Sequence, residues 1–420
     1  MIDIKQIREN REEVEKLLKR KAFAGYNLDH LLKVDDERHK LIKEVDEFRT
    51  QKNAAADKRD IEAGRQIKEK LEKLEHSLKA VEEEFATEYF KIPNPPLPGV
   101  PEGDESNNAV LRKVGDIAKK NFKQLSHVEL GDKLDIIDIP RAAKVSGARF
   151  AYLKGDGALL ELALIQFTVN KLVKNGFTPI FPPALIKQEI TKGLGYWQVG
   201  ANENYYSVKN TSVDGGDQET DLYLVGTGEH SVVPMHSGEV FAEKDLPKKY
   251  LAFSPCFRRE SGSYGKDTRG VLRVHQFDKL EMVAFVKPED DEKTRAEMLQ
   301  IVEDMMKDLS LPYQVVKLAA GDLGFPSAET IDIETWIPTQ EKYRETHSIS
   351  TTTNFQSKRL NIKYARADGS KDYVHILNGT AFAIGRILIA ILENYQQEDG
   401  TVKVPEALRD FIHKDTIFRD

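Results

Sequence analysis

Cysteine occurs once in the 420 residues, at Cys256. A lone thiol excludes an intrachain disulfide framework, and also a zinc site of four cysteines or of two cysteines and two histidines. It suits a reducing compartment, so a cytoplasmic protein is expected. Long apolar runs are missing as well. The longest, residues 381–392, is broken by Arg386, and the first 20 residues hold no apolar stretch of signal-peptide length. No membrane span and no leader are therefore expected. An excess of positive charge is absent: net charge is −7 and the isoelectric point is near 5.9. A polyanionic partner would need a local basic patch. Familiar nucleotide and hydrolase signatures are lacking too. No G-x-G-x-x-G follows a strand, and no H-E-x-x-H or G-x-S-x-G occurs. The run GSYGKDT at 262–268 misses a P-loop, with too few residues between its glycines and Asp267 where a hydroxyl is needed. A phosphate site in this chain must therefore rest on strands, arginines and carboxylate-bound Mg²⁺.

Charged residues are plentiful, at 31% against a usual share of about 25%. Part of that excess lies in residues 28–92. Leu31, Val34, Arg38, Leu41, Val45, Phe48, Lys52 and Ala55 step by threes and fours, and so do Ile67, Leu71, Leu74, Leu78, Val81 and Phe85. Each set is a heptad seam. The short connection, expected to break at Gly64, folds the second helix back antiparallel. A helix over 28–56 would be about 43 Å long and would project beyond a compact domain. From Arg49 to Lys73 there are eight basic and five acidic residues. Alone, that balance reads as a solvated coiled-coil surface; a basic tip gripping a nucleic-acid backbone is the functional alternative. Five prolines in residues 92–103 then predict an extended linker. The chain divides into residues 1–103, a helical arm with its linker, and 104–420, a mixed domain.

In the second part, residues 157–174 predict a helix leading into a short strand at 178–181. Residues 251–286 predict two strands around a basic loop. Strand alternation puts Phe277, Lys279 and Glu281 on one face, and Arg258 with Glu260 on another. If the faces coincide, the sheet offers a guanidinium for phosphate, a ring for a base and carboxylates for amine or hydroxyl hydrogens. Residues 344–360 are rich in hydroxyls, with Glu345 at their start: a hard-cation ligand set or a polar edge strand. Residues 374–396 run from a strand, through an expected turn at Asn378–Gly379, into a helix whose apolar stripe contains Arg386.

Together these stretches resemble the class II aminoacyl-tRNA synthetases, and within them the seryl-tRNA synthetase family of bacterial type. FRRE with Glu281 downstream is similar to motif 2, LNGTAFAIGR to motif 3 and NGFTPIFPPAL to motif 1. VGTGEHSVVPMH resembles the serine-recognition segment, and IPNPPLPGVP and NFQSKRL are also like the family. The likeness spans nearly the whole chain. It implies an α+β fold, a six- or seven-stranded antiparallel sheet flanked by helices, with an antiparallel two-helix coiled-coil arm at the amino terminus. It also implies a homodimer that joins L-serine to tRNA(Ser), and to tRNA(Sec) where the organism has one, at the expense of ATP and with Mg²⁺.

By motif position, Arg258, Glu281 and Arg386 would carry the chemistry. Thr227, Gly228, Glu229, Arg258, Glu281, Asn378 and Thr380 would bind serine. Arg258, Arg259, Glu260, Val274, Phe277, Arg386 and the run Glu345, Thr346, His347, Ser348 would bind ATP, with Phe277 and Arg386 sandwiching adenine. Glu345 and Ser348 would hold Mg²⁺. Gly228 stands where the family commonly has alanine, Ala381 where it has glycine and Asn354 where it has aspartate. Thr346–His347 replaces Ile/Val–Ser. A ligase that loads a carrier protein, an inactive coiled-coil scaffold and a zinc-dependent relative remain as alternative readings at this point.

Overall fold

The computed structural model describes residues 1–196, 204–209, 221–260 and 270–419. The near-miss loop at 262–268 lies outside them. Two compact units emerge, Ile2–Pro93 and Asn94–Asp420 together with Met1. The proline-rich stretch thus belongs to the larger unit, and the division falls at Pro93, not at Gly103. The reason is local pairing. Asn94 is buried, its N–H donates to the Phe325 carbonyl at 3.1 Å, and its side-chain amide donates to the Pro326 and Thr352 carbonyls.

The smaller unit contains two 30-residue helices, Leu28–Asp57 and Ile61–Phe90, each about 45 Å long. Asn27 caps the first and Asp60 the second, each through its side-chain oxygen. The seam buries Leu31, Val34, Val45 and Ala55 against Leu71 and Val81. The pairs Arg38–Phe85 and Arg49–Glu75 set an antiparallel register. The break is at 58–60, where Arg59 takes φ 54°. Gly64 lies inside the second helix, because capping by Asp60 starts that helix before the glycine is reached.

The larger unit is built on one eight-stranded sheet. Its strands are β1 (Ala109–Val114), β2 (Thr178–Ile180), β3 (Lys248–Phe257), β4 (Gln276–Val286), β5 (Tyr313–Lys317), β6 (Glu329–Ile337), β7 (Lys342–Thr351) and β8 (His375–Ala383), in the order β1-β5-β6-β7-β8-β4-β3-β2. All neighbours are antiparallel except β2 with β3. The sheet is therefore wider than the expected six or seven strands and carries one parallel pair. Leu280, Met282, Ala284 and Val286 alternate along β4 into the main core, with the helices Asp156–Lys174, Asp291–Asp308 and Ile384–Tyr395. Val283 and Phe285 face a second core on the other side. Lys279 and Glu281 share that second face, ahead of the apolar pair.

The expected turn at Asn378–Gly379 is absent: both residues lie within β8. Gly379 is closely surrounded there: a Cβ would sit 3.0 Å from Met298 Cε and 3.2 Å from Ile349 Cγ1.

Candidate active site

Two β-bulges aim the side chains. Between β6 and β7, Ile333 pairs with His347 and Glu334 with Glu345, so Thr346 is the extra residue. Glu345 and Ser348, three apart, consequently face the same side as Asp332 and Glu334. Between β4 and β8, Leu280 pairs with Phe382 and Glu281 with Thr380, so Ala381 is the extra residue. Ala381 has no positive φ, so alanine is tolerated where glycine is usual in the family.

The result is a cavity of about 700 Å³ over the sheet. Thr227, Glu229, Arg258, Glu260, Glu281, Glu345, Ser348, Asn378 and Thr380 line it. Beside it is a smaller pocket lined by Val274, Phe277, Thr346 and Arg386, with Arg258, Glu260 and Glu345 common to both. Arg258 joins the two. Its Nε donates to the Gly226 carbonyl at 3.1 Å, and its guanidinium lies 5.4 Å from the centre of the Phe277 ring. Arg386 Nη1 stands 3.1 Å from Glu345 Oε1 and donates to the Glu345 carbonyl at 2.8 Å. Burial is the largest single influence and would raise the Glu345 carboxyl, but the charge and hydrogen bond of Arg386 together with the charges of Arg258 and Lys279 hold the group below its ordinary value. Glu260 takes φ 50°, a strained conformation for a non-glycine residue, and its carboxylate meets Arg273 Nη1 at 2.9 Å.

In the opposite corner Lys279 pairs with Glu281 and donates to Thr227 Oγ1 at 3.2 Å. Thr380 Oγ1 reaches Glu281 at 3.5 Å. Glu229 is 2% exposed, and burial pushes its carboxyl up to about 7. Gly228 sits beneath: a Cβ there would lie 2.7 Å from Ala252 Cβ. The side-chain nitrogen of Asn378 is buried without a partner, a donor left for a polar ligand.

Two of the expected ATP residues are placed elsewhere. His347 is fully buried on the other face of β7, its ring 5.4 Å from Phe382. Next to the cavity-facing Ser348, ordinary strand alternation turns it inward, and burial lowers its imidazole to about 3. Arg259 lines neither pocket; its N–H donates to the Asn204 carbonyl at 2.9 Å.

Other lining residues escaped the sequence reading: Tyr196, Tyr205, His230, Asp332 and Glu334, with Lys279 noted on the face but given no role. Only the alternation in residues 329–337 hinted at Asp332 and Glu334. The two tyrosines had no sequence signal.

Among the described residues, the cavity lining holds eight carboxyl groups against Arg258 and Lys279. A polyphosphate entering it needs added positive charge. Glu345 and Ser348 offer oxygen donors, and Asp332 Oδ1 nearby in the lining is buried with no partner. That donor set fits Mg²⁺ held jointly with ligand phosphates and water. Among the described residues no cluster of three His, Cys, Asp or Glu forms a protein-only metal cage.

Comparison with known proteins bears on this geometry. Residues 1–96 match the family described as the seryl-tRNA synthetase N-terminal domain, and residues 206–395 the tRNA synthetase class II core domain (G, H, P, S and T). A serine–tRNA ligase of Coprothermobacter proteolyticus is 40% identical over 98% of this chain and all of its own. The seryl-tRNA synthetase of Pyrococcus horikoshii, solved in complex with ATP, is 34% identical with a TM-score of 0.89, covering 100% of both chains. The cytoplasmic serine–tRNA ligase of Naegleria fowleri, in complex with AMP, is 30% identical with a TM-score of 0.87, covering 100% of this chain and 99% of its own. With a full-length relative this similar and with both family domains matched in order, the chain belongs to the serine–tRNA ligase family of class II aminoacyl-tRNA synthetases.

Proposed function

We propose that this protein activates L-serine with ATP and transfers it to tRNA(Ser), and to tRNA(Sec) where that tRNA is present. The observation that carries the reading is the placement of Arg258 between the Phe277–Arg386 pocket and the Thr227–Glu229–Glu281 corner of one cavity. Adenine lies between Phe277 and Arg386, beside Val274 and Glu260. The serine carboxylate and the α-phosphate both meet the Arg258 guanidinium, which holds two anions together that would otherwise repel. A serine carboxylate oxygen forms a bond to the α-phosphorus, and the bond to the bridging oxygen breaks. Pyrophosphate departs with that electron pair, and seryl-adenylate remains.

Glu345 and Ser348 would hold Mg²⁺, which when bound would offset the charge of the phosphates. Asn378, Thr380, Thr227, Glu229 and Glu281 take the serine hydroxyl and ammonium. Buried groups that need a hydroxyl partner reject alanine, because they would be left unpaired. In the second step the tRNA 3′-terminal hydroxyl attacks the seryl carbonyl and AMP leaves. No covalent enzyme intermediate is needed; positioning and charge neutralisation carry both steps.

The arm binds tRNA through its basic residues between Arg49 and Lys73, reading backbone and shape. The protein acts in the cytoplasm as a homodimer, which sedimentation would show as twice 47.6 kDa. No helix among the described residues is long and apolar enough to cross a membrane.

The deciding experiment is ATP–pyrophosphate exchange with serine, threonine, alanine and glycine side by side. Exchange strongly favouring serine is expected. Preference for glycine or alanine would point to a carrier-protein ligase, and no exchange with any of them would defeat the enzymatic reading.

A further inference from the structure

Gln356 has been given no role so far. It lies on the short helix Phe355–Leu360 and is fully buried. Its Nε2 donates to Glu229 Oε1 at 2.7 Å and to the Leu194 carbonyl at 3.3 Å. The Leu194 carbonyl can only accept, so the amide nitrogen must face that side, where Glu229 also lies. On its other side Gln356 Oε1 lies 3.2 Å from Thr352 Oγ1, which shares its one hydrogen with the Ile376 carbonyl at 3.0 Å. The amide is thus oriented chiefly by its nitrogen, the end that meets Glu229.

We propose that Gln356 is a positioning residue for amino-acid recognition, fixing the Glu229 carboxylate as an acceptor for the hydrogens of serine. The proposal rests on the reading that this corner of the cavity takes serine. Both the ammonium and the hydroxyl of serine are donors, so whichever reaches Glu229 needs an ionised carboxylate. That ionisation is finely balanced. Burial raises the group most, the Gln356 amide opposes it, Glu281 raises it further, and Tyr196 and Lys279 oppose. Tyr196 donates to both Glu229 oxygens, at 3.1 and 3.0 Å.

The remaining neighbours do not replace Gln356. Tyr205 is held well up by burial, to about 12. His230, next in sequence, is held neutral by burial and by the charges of Arg258 and Lys279. Lys279 is engaged by Glu281. Loss of the Gln356 donor therefore moves Glu229 toward the protonated form at neutral pH. It also frees the carboxylate to rotate.

The test is serine-dependent ATP–pyrophosphate exchange by the full chain and by Gln356→Leu and Gln356→Glu variants, from pH 6.5 to 9. Gln356→Leu is expected to raise the KM for serine roughly tenfold or more at pH 7, the loss that follows removal of a hydrogen bond to a charged group. The KM for ATP and kcat should stay within about twofold, and the serine deficit should shrink toward pH 9. Gln356→Glu keeps the volume and sets a second carboxyl against Glu229, so its deficit at pH 7 should be at least as large; it decides the matter if Gln356→Leu does not fold. A folded variant with unchanged serine KM and pH profile would overturn the proposal. So would a loss shared equally by ATP and kcat without recovery at high pH, which marks a purely structural role. If the unaltered protein shows no serine-dependent exchange, the functional reading itself fails, and the proposal with it.

Discussion

Arg258 illustrates how one side chain acquires a function from its surroundings. Anchored through Nε and packed by the Phe277 ring, its guanidinium is held in place before any ligand arrives, so little ordering cost remains at the moment of reaction. Arg258→Ala should lower serine-dependent exchange by about 10³-fold, with the circular dichroism spectrum unchanged; near-normal exchange would remove Arg258 from the mechanism.

His347 makes the opposite point. A titratable group beside the phosphate ligands has been turned into a core residue with its imidazole lowered to about 3 by burial. Its folded-state value lies below the unfolded one, so the neutral form is favoured by folding. Its contribution is fully present above about pH 6.5 and is lost as pH falls toward 3, at about 1.4 kcal/mol per pH unit. Urea midpoints measured at pH 7 and pH 5 should converge in His347→Leu relative to the unaltered protein. Thr346 keeps its partners Thr335 and the Ile333 carbonyl in that variant.

Bulges and close approaches do the equivalent work for whole strands and turns. The extra residue Thr346 puts Glu345 and Ser348 on one face, which strict alternation forbids for residues three apart. The turn at 227–229 presses onto β3 at Gly228. Alanine at 228 would meet Ala252 Cβ at 2.7 Å, and neither methyl group can rotate away. Gly228→Ala should therefore shift Thr227 and Glu229 and raise the KM for serine about tenfold. Adding Ala252→Gly opens the space and should restore most of the loss. A double-mutant cycle without such coupling would show that the contact does not set the turn.

For the molecule as a whole, the division between a helical hairpin and a sheet domain predicts separable activities. Every residue placed in the activation chemistry lies within Asn94–Asp420. Replacing residues 35–85 with a short Gly-Ser linker should leave serine-dependent exchange within about twofold while abolishing aminoacylation of tRNA. Undiminished charging of tRNA by that variant would refute the role of the arm. If the basic tip acts by phosphate neutralisation as proposed, the unaltered chain should also lose tRNA affinity as salt rises.

Local pattern was enough for the heptad hairpin, for the strands around 251–286 and for the grouping of Phe277, Lys279 and Glu281, since helical and strand periods are written in neighbouring residues. Local pattern also singled out Arg258, Glu345 and Arg386, while resemblance to family motifs supplied their expected roles and the corner around Glu229. The resemblance gave no sign that His347 would be buried or that Arg259 would line neither pocket, because motif position carries no information on which way a side chain faces or on where a backbone bends away. The passage of β8 straight through Asn378–Gly379 and the recruitment of Tyr196, Asp332 and Gln356 depended on contacts between segments far apart in the chain. Such contacts are fixed only when the sheet closes and buried polar groups must find partners.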